Sequence, residues 1–195
     1  MMKPCRFLPA AFLLFAHFAA AQSSPVATLP INVRFAATEA NAPPGTCGCF
    51  FLVGGAADAA FHVLPRTSLA VEVGGNTVDR VAGTSRGLST ITLLAGPRYT
   101  VPLRMFAVSG QALFGAARGF DADFTVGSRH QDTATTFGMA LGGFAEVQVA
   151  RSLRLRVAQV DYVQTNLPNG LDNRQRNIRL GAGVTFLVPL LSSRR

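Results

Sequence analysis

The sequence predicts an all-β protein: an eight-stranded antiparallel up-and-down transmembrane β-barrel, preceded by a cleaved signal peptide. Three observations predict it. Two basic residues followed by an uncharged apolar run open the chain, apolar residues recur at every second position through most of the remainder, and charged residues make up only 14% of the whole.

Lys3 and Arg6 precede the apolar run from Phe7 to Ala21, and Ala19-Ala20-Ala21 before Gln22 offers the small side chains after which signal peptidase cleaves. Fifteen residues fall short of the roughly twenty that a helix needs to cross a hydrocarbon core of about 30 Å. Residues 1–21 therefore read as an export signal and not as a membrane anchor. Cys5 precedes the apolar run and stands away from the cleavage point, which argues against acylation of the lipoprotein kind. Residues 22–29 are expected to form a short lead, 30–188 the barrel, and 189–195 a C-terminal tail.

About 174 residues follow the signal, enough for one domain and short for two. Removing Lys3 and Arg6 leaves sixteen basic residues, all arginine, against ten acidic ones, a balance of about +6. These arginines are scattered singly, without the dense basic stretch or aromatic platform of a nucleic-acid site, so no nucleic acid is expected as a partner. A soluble surface of mixed charge would carry more ionic side chains than this chain has. Something apolar must cover part of the outside.

The period of the apolar positions defines the elements. From Asn177, Ile178, Leu180, Ala182, Val184 and Phe186 fall on one side, and Asn177, Arg179, Gly181, Gly183 and Thr185 on the other; a period of two means strand. Leu69, Val71 and Val73 alternate in the same way with Ala70, Glu72 and Gly74, and Met139, Leu141, Ala145 and Val147 with Gly142, Glu146 and Gln148. Glycines interrupt nearly every apolar segment, and no run holds a 3.6-residue pattern for three turns, so helix is disfavoured throughout. Strands are expected near 30–39, 49–64, 67–76, 88–97, 104–115, 135–149, 153–164 and 174–187. Longer polar segments follow the first, third, fifth and seventh. Tight ones, Leu64-Pro65-Arg66 and Ala150-Arg151-Ser152, follow the second and sixth. Short periplasmic turns alternating with longer external loops are the asymmetry of barrels in the outer membrane, and both chain ends would face the periplasm.

Sidedness separates a membrane barrel from a soluble, ligand-binding one, because the first turns its apolar face to lipid and the second turns it inward. The polar faces here combine single charges with many glycines and alanines, as the crowded inside of a narrow eight-stranded tube requires. A solvated exterior would carry many long Lys and Glu side chains instead, so the membrane barrel is the expectation and the cell outer membrane its location.

Several segments carry a family likeness. Ala42-Pro43-Pro44-Gly45-Thr46-Cys47-Gly48-Cys49-Phe50, Gly96-Pro97-Arg98-Tyr99, Gln111-Ala112-Leu113-Phe114-Gly115 and Gln159-Val160-Asp161-Tyr162, followed by Asn173-Arg174-Gln175 and Leu180-Gly181-Ala182-Gly183-Val184, resemble the porin-like outer membrane β-barrel domain family over roughly residues 28–187. The resemblance implies the eight-stranded barrel related to that of outer membrane protein A, and it implies no catalytic residues. Many such barrels end on an aromatic residue that the outer-membrane assembly machinery reads. Here Phe186 is followed by nine further residues, Leu187 to Arg195. The interfacial aromatic girdles are thin as well, since tryptophan is absent and Tyr99 and Tyr162 are the only tyrosines, leaving phenylalanine to substitute.

A tight turn centred on Arg151 sets Gln148 opposite Arg154 and Glu146 opposite Arg156, so Glu146 and Arg156 are expected to pair. Glu72 and Arg179 would extend an internal polar network, and Asp161 would lie across from 177–179, its parity shifted by a bulge near Ala158. An eight-stranded interior is about wide enough to be filled by its own side chains, which favours a plugged lumen over a gated ion path. Cys47 and Cys49 are the cysteines left after export. Their Cys-Gly-Cys spacing admits a local or intermolecular disulfide, free thiols or a metal, although two distant histidines, His62 and His130, do not complete a recognisable zinc spacing. Ser128, His130 and Asp132, in what reads as the longest loop, are residue types that a lipid-modifying barrel enzyme could use, but adjacency in a loop does not create a contact between nucleophile and base. No cofactor motif is present, because the glycines lack a strand–turn–helix phosphate context.

A structural or loop-displaying barrel in contact with outer-membrane lipid therefore leads, with an unknown extracellular ligand as a further candidate partner. Narrow pore, lipid-modifying enzyme and soluble ligand-binding barrel follow as alternatives.

Overall fold

A computed structural model describes residues 28–42, 48–81, 85–126, 129–168 and 173–190. The export signal expected over 1–21 lies outside the described residues. Eight strands run in chain order, β1 (Thr28–Ala42), β2 (Gly48–Leu64), β3 (Thr67–Val78), β4 (Leu88–Pro102), β5 (Phe106–Val126), β6 (Arg129–Ala150), β7 (Leu153–Thr165) and β8 (Gln175–Pro189). Each pairs antiparallel with its sequence neighbours, and β1 pairs with β8 from Thr28 opposite Pro189 to Glu39 opposite Ile178, which closes the ring. Closure leaves no strand edge along the body of the barrel, so the backbone polar groups are satisfied between strands, a condition for spanning a bilayer.

Burial alternates with the sequence. On β3, Ser68, Ala70, Glu72 and Gly74 are buried while Leu69 and Val73 are exposed. Phe35, Phe51, Leu93, Phe137, Val160 and Leu180 likewise stand outside, each 47% or more exposed, whereas Arg34, Asp58, Glu72, Arg156 and Asp161 are buried to within 3%. A water-soluble protein has the opposite arrangement. The wall is apolar outside and ionic within, so it faces lipid.

Three connections are short and lie at one end, at 65–66, 103–105 and 151–152. The strands differ from the sequence expectation mainly at the other end. β5 was expected over 104–115 and β6 over 135–149, yet they extend to Val126 and begin at Arg129. The segment that reads as a long loop after the fifth strand is instead a protruding two-stranded hairpin with a tight connection. Its arms rise beyond their neighbours, since β4 reaches β5 only as far as Phe120 and β7 reaches β6 only as far as Gly138. Without an apolar wall to contribute to, both faces of the arms can be polar, and the period-two signal disappears while the hydrogen-bonded pairing persists. The register shifts between Phe120 and Phe124, where Asp121 adopts a left-handed φ of 65°.

Candidate functional site

The inward faces of the strands define the site. From β1 to β4 the inward residues have even numbers, and on β5 odd numbers. On β7 the parity changes, because the ladder shifts between Arg156 and Gln159 against β8. Arg156 faces inward on one side of this bulge and Gln159, Asp161, Val163 and Thr165 on the other. Glu146 is opposite Arg156, Gln148 opposite Arg154, and Asp161 opposite Arg179.

Four arginines and four carboxylates meet inside, with formal charges that cancel. Asp58 is central: its Oδ2 accepts from Nη1 of Arg34 and of Arg156, both at 2.9 Å, and its Oδ1 lies 2.7 Å from Nη2 of Arg98. The Glu72 oxygens stand 2.6 Å from Arg34 Nη2 and 2.7 Å from Arg179 Nη2. Arg179 also donates from Nε and Nη2 to Asp161 Oδ2, at 3.2 and 2.8 Å. Gln111 donates to Asp161 Oδ1 at 3.2 Å and accepts from Arg98 Nη2 at 2.9 Å. The path from Asp58 through Arg34, Glu72, Arg179, Asp161, Gln111 and Arg98 thereby returns to Asp58. Glu146 Oε1 joins through Arg156 Nη2 at 2.9 Å and accepts from the Thr185 hydroxyl at 2.7 Å. Phe144 supplies an aromatic face, its ring centroid 3.7 Å from the guanidinium carbon of Arg156 and 4.9 Å from that of Arg98, within range of a cation–π attraction.

Several of these contacts cross the lumen. Arg179 on β8 reaches Glu72 on β3, and Arg156 on β7 reaches Asp58 on β2. Small residues make room for them. A Cβ on Gly74 would stand 2.9 Å from Thr92 Oγ1 and 3.6 Å from Arg179 Nη1, and one on Gly183 would come within 2.5 Å of Arg34 Cβ. The glycines of the polar faces thus clear space for long cationic side chains.

Apolar groups fill the space that the ions leave. One side chain from each of β2 to β7, Ala60, Ala70, Leu94, Leu113, Ala140 and Val163, forms a buried cluster. Toward the end with the longer connections, Ala40, Phe50 and Leu52 pack with Val78, Val81 and Leu88. On the opposite wall at that end Phe124 and Leu167 are 4% exposed and close over Gly119, whose absent Cβ would lie 2.5 Å from Phe124 Cζ and 3.2 Å from Leu167 Cδ2. At the short-turn end a cavity of about 100 Å³ opens between Pro30, His62, Ser68, Thr100, Arg154 and Leu187, and its floor is the ionic layer of Asp58, Arg98, Glu146 and Arg156.

The five residues anticipated for the network, Glu72, Glu146, Arg156, Asp161 and Arg179, all face the lumen and are linked. Sequence reasoning missed Arg34, Asp58, Arg98, Gln111 and Gln159. Each stands on the polar parity of its strand, a signal that was available, but parity does not reveal which residues meet across the tube. Cys47 and Ser128 lie outside the described residues, and the side chain of Cys49 does too. His130 is on β6, paired with Thr125, and not in an open loop. Asp132 forms a 3.3 Å ion pair with Arg86, both side chains being largely exposed. Among the described residues, no three of His, Cys, Asp or Glu converge as ligands for a metal.

This geometry can be set against known proteins. No family model matches the chain, and no curated protein matches it. Among solved structures, Neisserial surface protein A superposes with a TM-score of 0.61 at 14% identity, over 81% of this chain and 96% of its own. Ail, the attachment invasion locus protein of Yersinia pestis, does so with a TM-score of 0.51 at 12% identity, over 82% of this chain and 99% of its own. Its complex with the heparin analogue sucrose octasulfate gives 0.53 at 11% identity, over 82% and 98%. Identities this low carry the fold. Together with the apolar exterior and ionic interior, that fold defines the class: a small outer-membrane β-barrel. The family resemblance seen in the sequence is met at the level of architecture.

Proposed function

We propose that the protein is a structural, surface-displaying barrel whose lumen is closed to solutes. The observation that carries this reading is the continuity of the filling. An ionic layer linked from wall to wall lies above the short-turn cavity, one apolar cluster winds around the ring beside it, and a second occupies the space toward the far end. Buried ions held by opposite charges within ion-pair distance are rigid, and moving one leaves another unpaired at a cost of several kcal/mol. The part left to engage the surroundings is the outer end, where the β5–β6 hairpin stands above the wall. Outer-membrane lipid, the outer-membrane assembly machinery and an extracellular ligand for the outer end belong to this reading as partners, without any cofactor.

The test is made on mature protein refolded in detergent and in bilayers. The expected result is a band whose gel mobility changes on boiling, together with no stepwise conductance in planar bilayers. Steady unitary conductance would replace this reading with a narrow pore. Modification of lipid A by the purified barrel, lost in His130→Ala, would replace it with an enzyme.

A further inference from the structure

The excess positive charge of the barrel is not spread over the molecule. The lumen holds four arginines against four acids. By position in the sequence, the outer ends of the strands and the long connections hold six arginines against six acids. Of the six remaining arginines, Arg66, Arg104, Arg151 and Arg154 belong to the short-turn end, and Arg194 and Arg195 follow β8 in the sequence, outside the described residues. Among the described residues, the short-turn end thus carries four arginines outside the lumen. Each short connection carries one arginine, and Arg66, Arg104 and Arg151 are all exposed. Among the described residues, none of these three has a carboxylate within ion-pair distance. The acids nearest in the fold, Asp58 and Glu146, are buried and engaged in the lumen.

Each of these arginines also borders the lipid-facing wall. Leu64 precedes Pro65-Arg66, Leu103 and Met105 flank Arg104, and Val149 precedes Ala150-Arg151. All four apolar residues are exposed, Met105 by 71%. An apolar side chain immersed at the edge of the acyl region, with a guanidinium beside it, is the arrangement by which arginine reaches the headgroup layer. The planar fork of arginine binds phosphate oxygens in pairs. The three connections join alternate strand pairs, so the sites are distributed around the rim, as suits a ring of separate lipids more than one large ligand.

We propose that the short-turn rim is a binding surface for the phosphodiester headgroups of anionic phospholipid, one at each of Arg66, Arg104 and Arg151, in the leaflet that this end faces. This rests on the lipid-embedded barrel of the preceding section. It adds a chemical preference at one rim.

The experiment compares spin-labelled phosphatidylglycerol with spin-labelled phosphatidylcholine at the surface of the mature barrel in phosphatidylcholine bilayers, reading the fraction of motionally restricted label. Electrostatic attraction per basic side chain near an anionic surface predicts a preference for phosphatidylglycerol of roughly 5-fold. That preference should shrink as salt is raised, fall stepwise in single Arg66→Gln, Arg104→Gln and Arg151→Gln variants, approach unity in the triple variant, and survive when all three become Lys. Equal association of both lipids with the wild type, or an undiminished preference in the Gln variants, would overturn the proposal. So would co-sedimentation with isolated peptidoglycan that depends on the same arginines and occurs without a lipid preference, since the rim would then serve cell-wall carboxylates. The boiling-dependent gel shift in pure phosphatidylcholine is read separately. A barrel that shifts but shows no lipid preference refutes this inference alone, and one that never shifts refutes the lipid-embedded reading beneath it.

Discussion

Asp58 shows how much a single buried carboxylate can organise. Three guanidinium groups, from Arg34, Arg98 and Arg156, converge on its two oxygens, and all three are buried. Asp58→Ala is therefore expected to destabilise the folded barrel by about 3–5 kcal/mol, read from the shift in urea midpoint of refolding into vesicles. Replacing Glu146 and Arg156 together by Met should cost less than the sum of the two single changes, because neither partner is then left charged and alone. A second residue-scale expectation concerns space. Gly183→Val should abolish closure or lower stability by more than the loss of glycine entropy can offset, because its side chain would meet the Arg34 Cβ and backbone; the boiling-dependent gel shift of the variant checks it. Asp58 and Arg34 were visible in the sequence as charges on the polar side of their strands. Their convergence was not, because strand alternation assigns a face and says nothing about contacts across a tube.

At the scale of elements, the bulge in β7 and the hairpin of β5 and β6 carry the most information. Val157 and Ala158 break the alternation between Arg156 and Gln159, and that break lets residues of opposite parity share one lumen. Deleting one residue there should return the outer half of β7 to the wrong face, exposing Asp161 to lipid, and the chain should then fail to produce the folded band. The hairpin should behave in the opposite way. Replacing residues 121–132 by an Asn-Gly turn removes arms that no neighbouring strand supports, so the folded band should persist with stability changed by less than about 1 kcal/mol apart from the loss of Phe124 packing. Protease added to intact vesicles should cut the wild type within this hairpin when its outer end is accessible. The bulge was legible because the periodicity of β7 required it. The hairpin was not, because protruding arms have no buried face and their polar sequence reads as loop.

For the molecule as a whole, the inversion of burial is the governing fact. Phe35, Phe51 and Phe137 face outward and Arg34, Arg98, Arg156 and Arg179 inward, so transfer into water would expose the apolar belt, and the detergent-free protein is expected to aggregate unless lipid or detergent is supplied. A closed lumen predicts no unitary conductance for the wild type. Widening the filling by changing Phe124 and Leu167 to Ala should still give none, because the ionic layer below them is intact. Changing the inward residues Leu94 and Leu113 to Ala instead opens space inside the ring itself and should lower stability by roughly 2–5 kcal/mol for each substitution.

The sequence on its own carried the alternation and the eight strands, and set five charged residues on the polar faces as an expected network, because a period-two pattern is a local property that each strand carries independently. Tertiary structure decided which face turns inward, how far β5 and β6 extend, that Asp58 lies at the meeting point of three arginines, and that Arg66, Arg104 and Arg151 share the short-turn rim. These depend on closure of the ring. Only the shear and registry of a closed sheet bring β2 across from β7 and β3 across from β8, and only closure sorts the ends of eight strands into two rims.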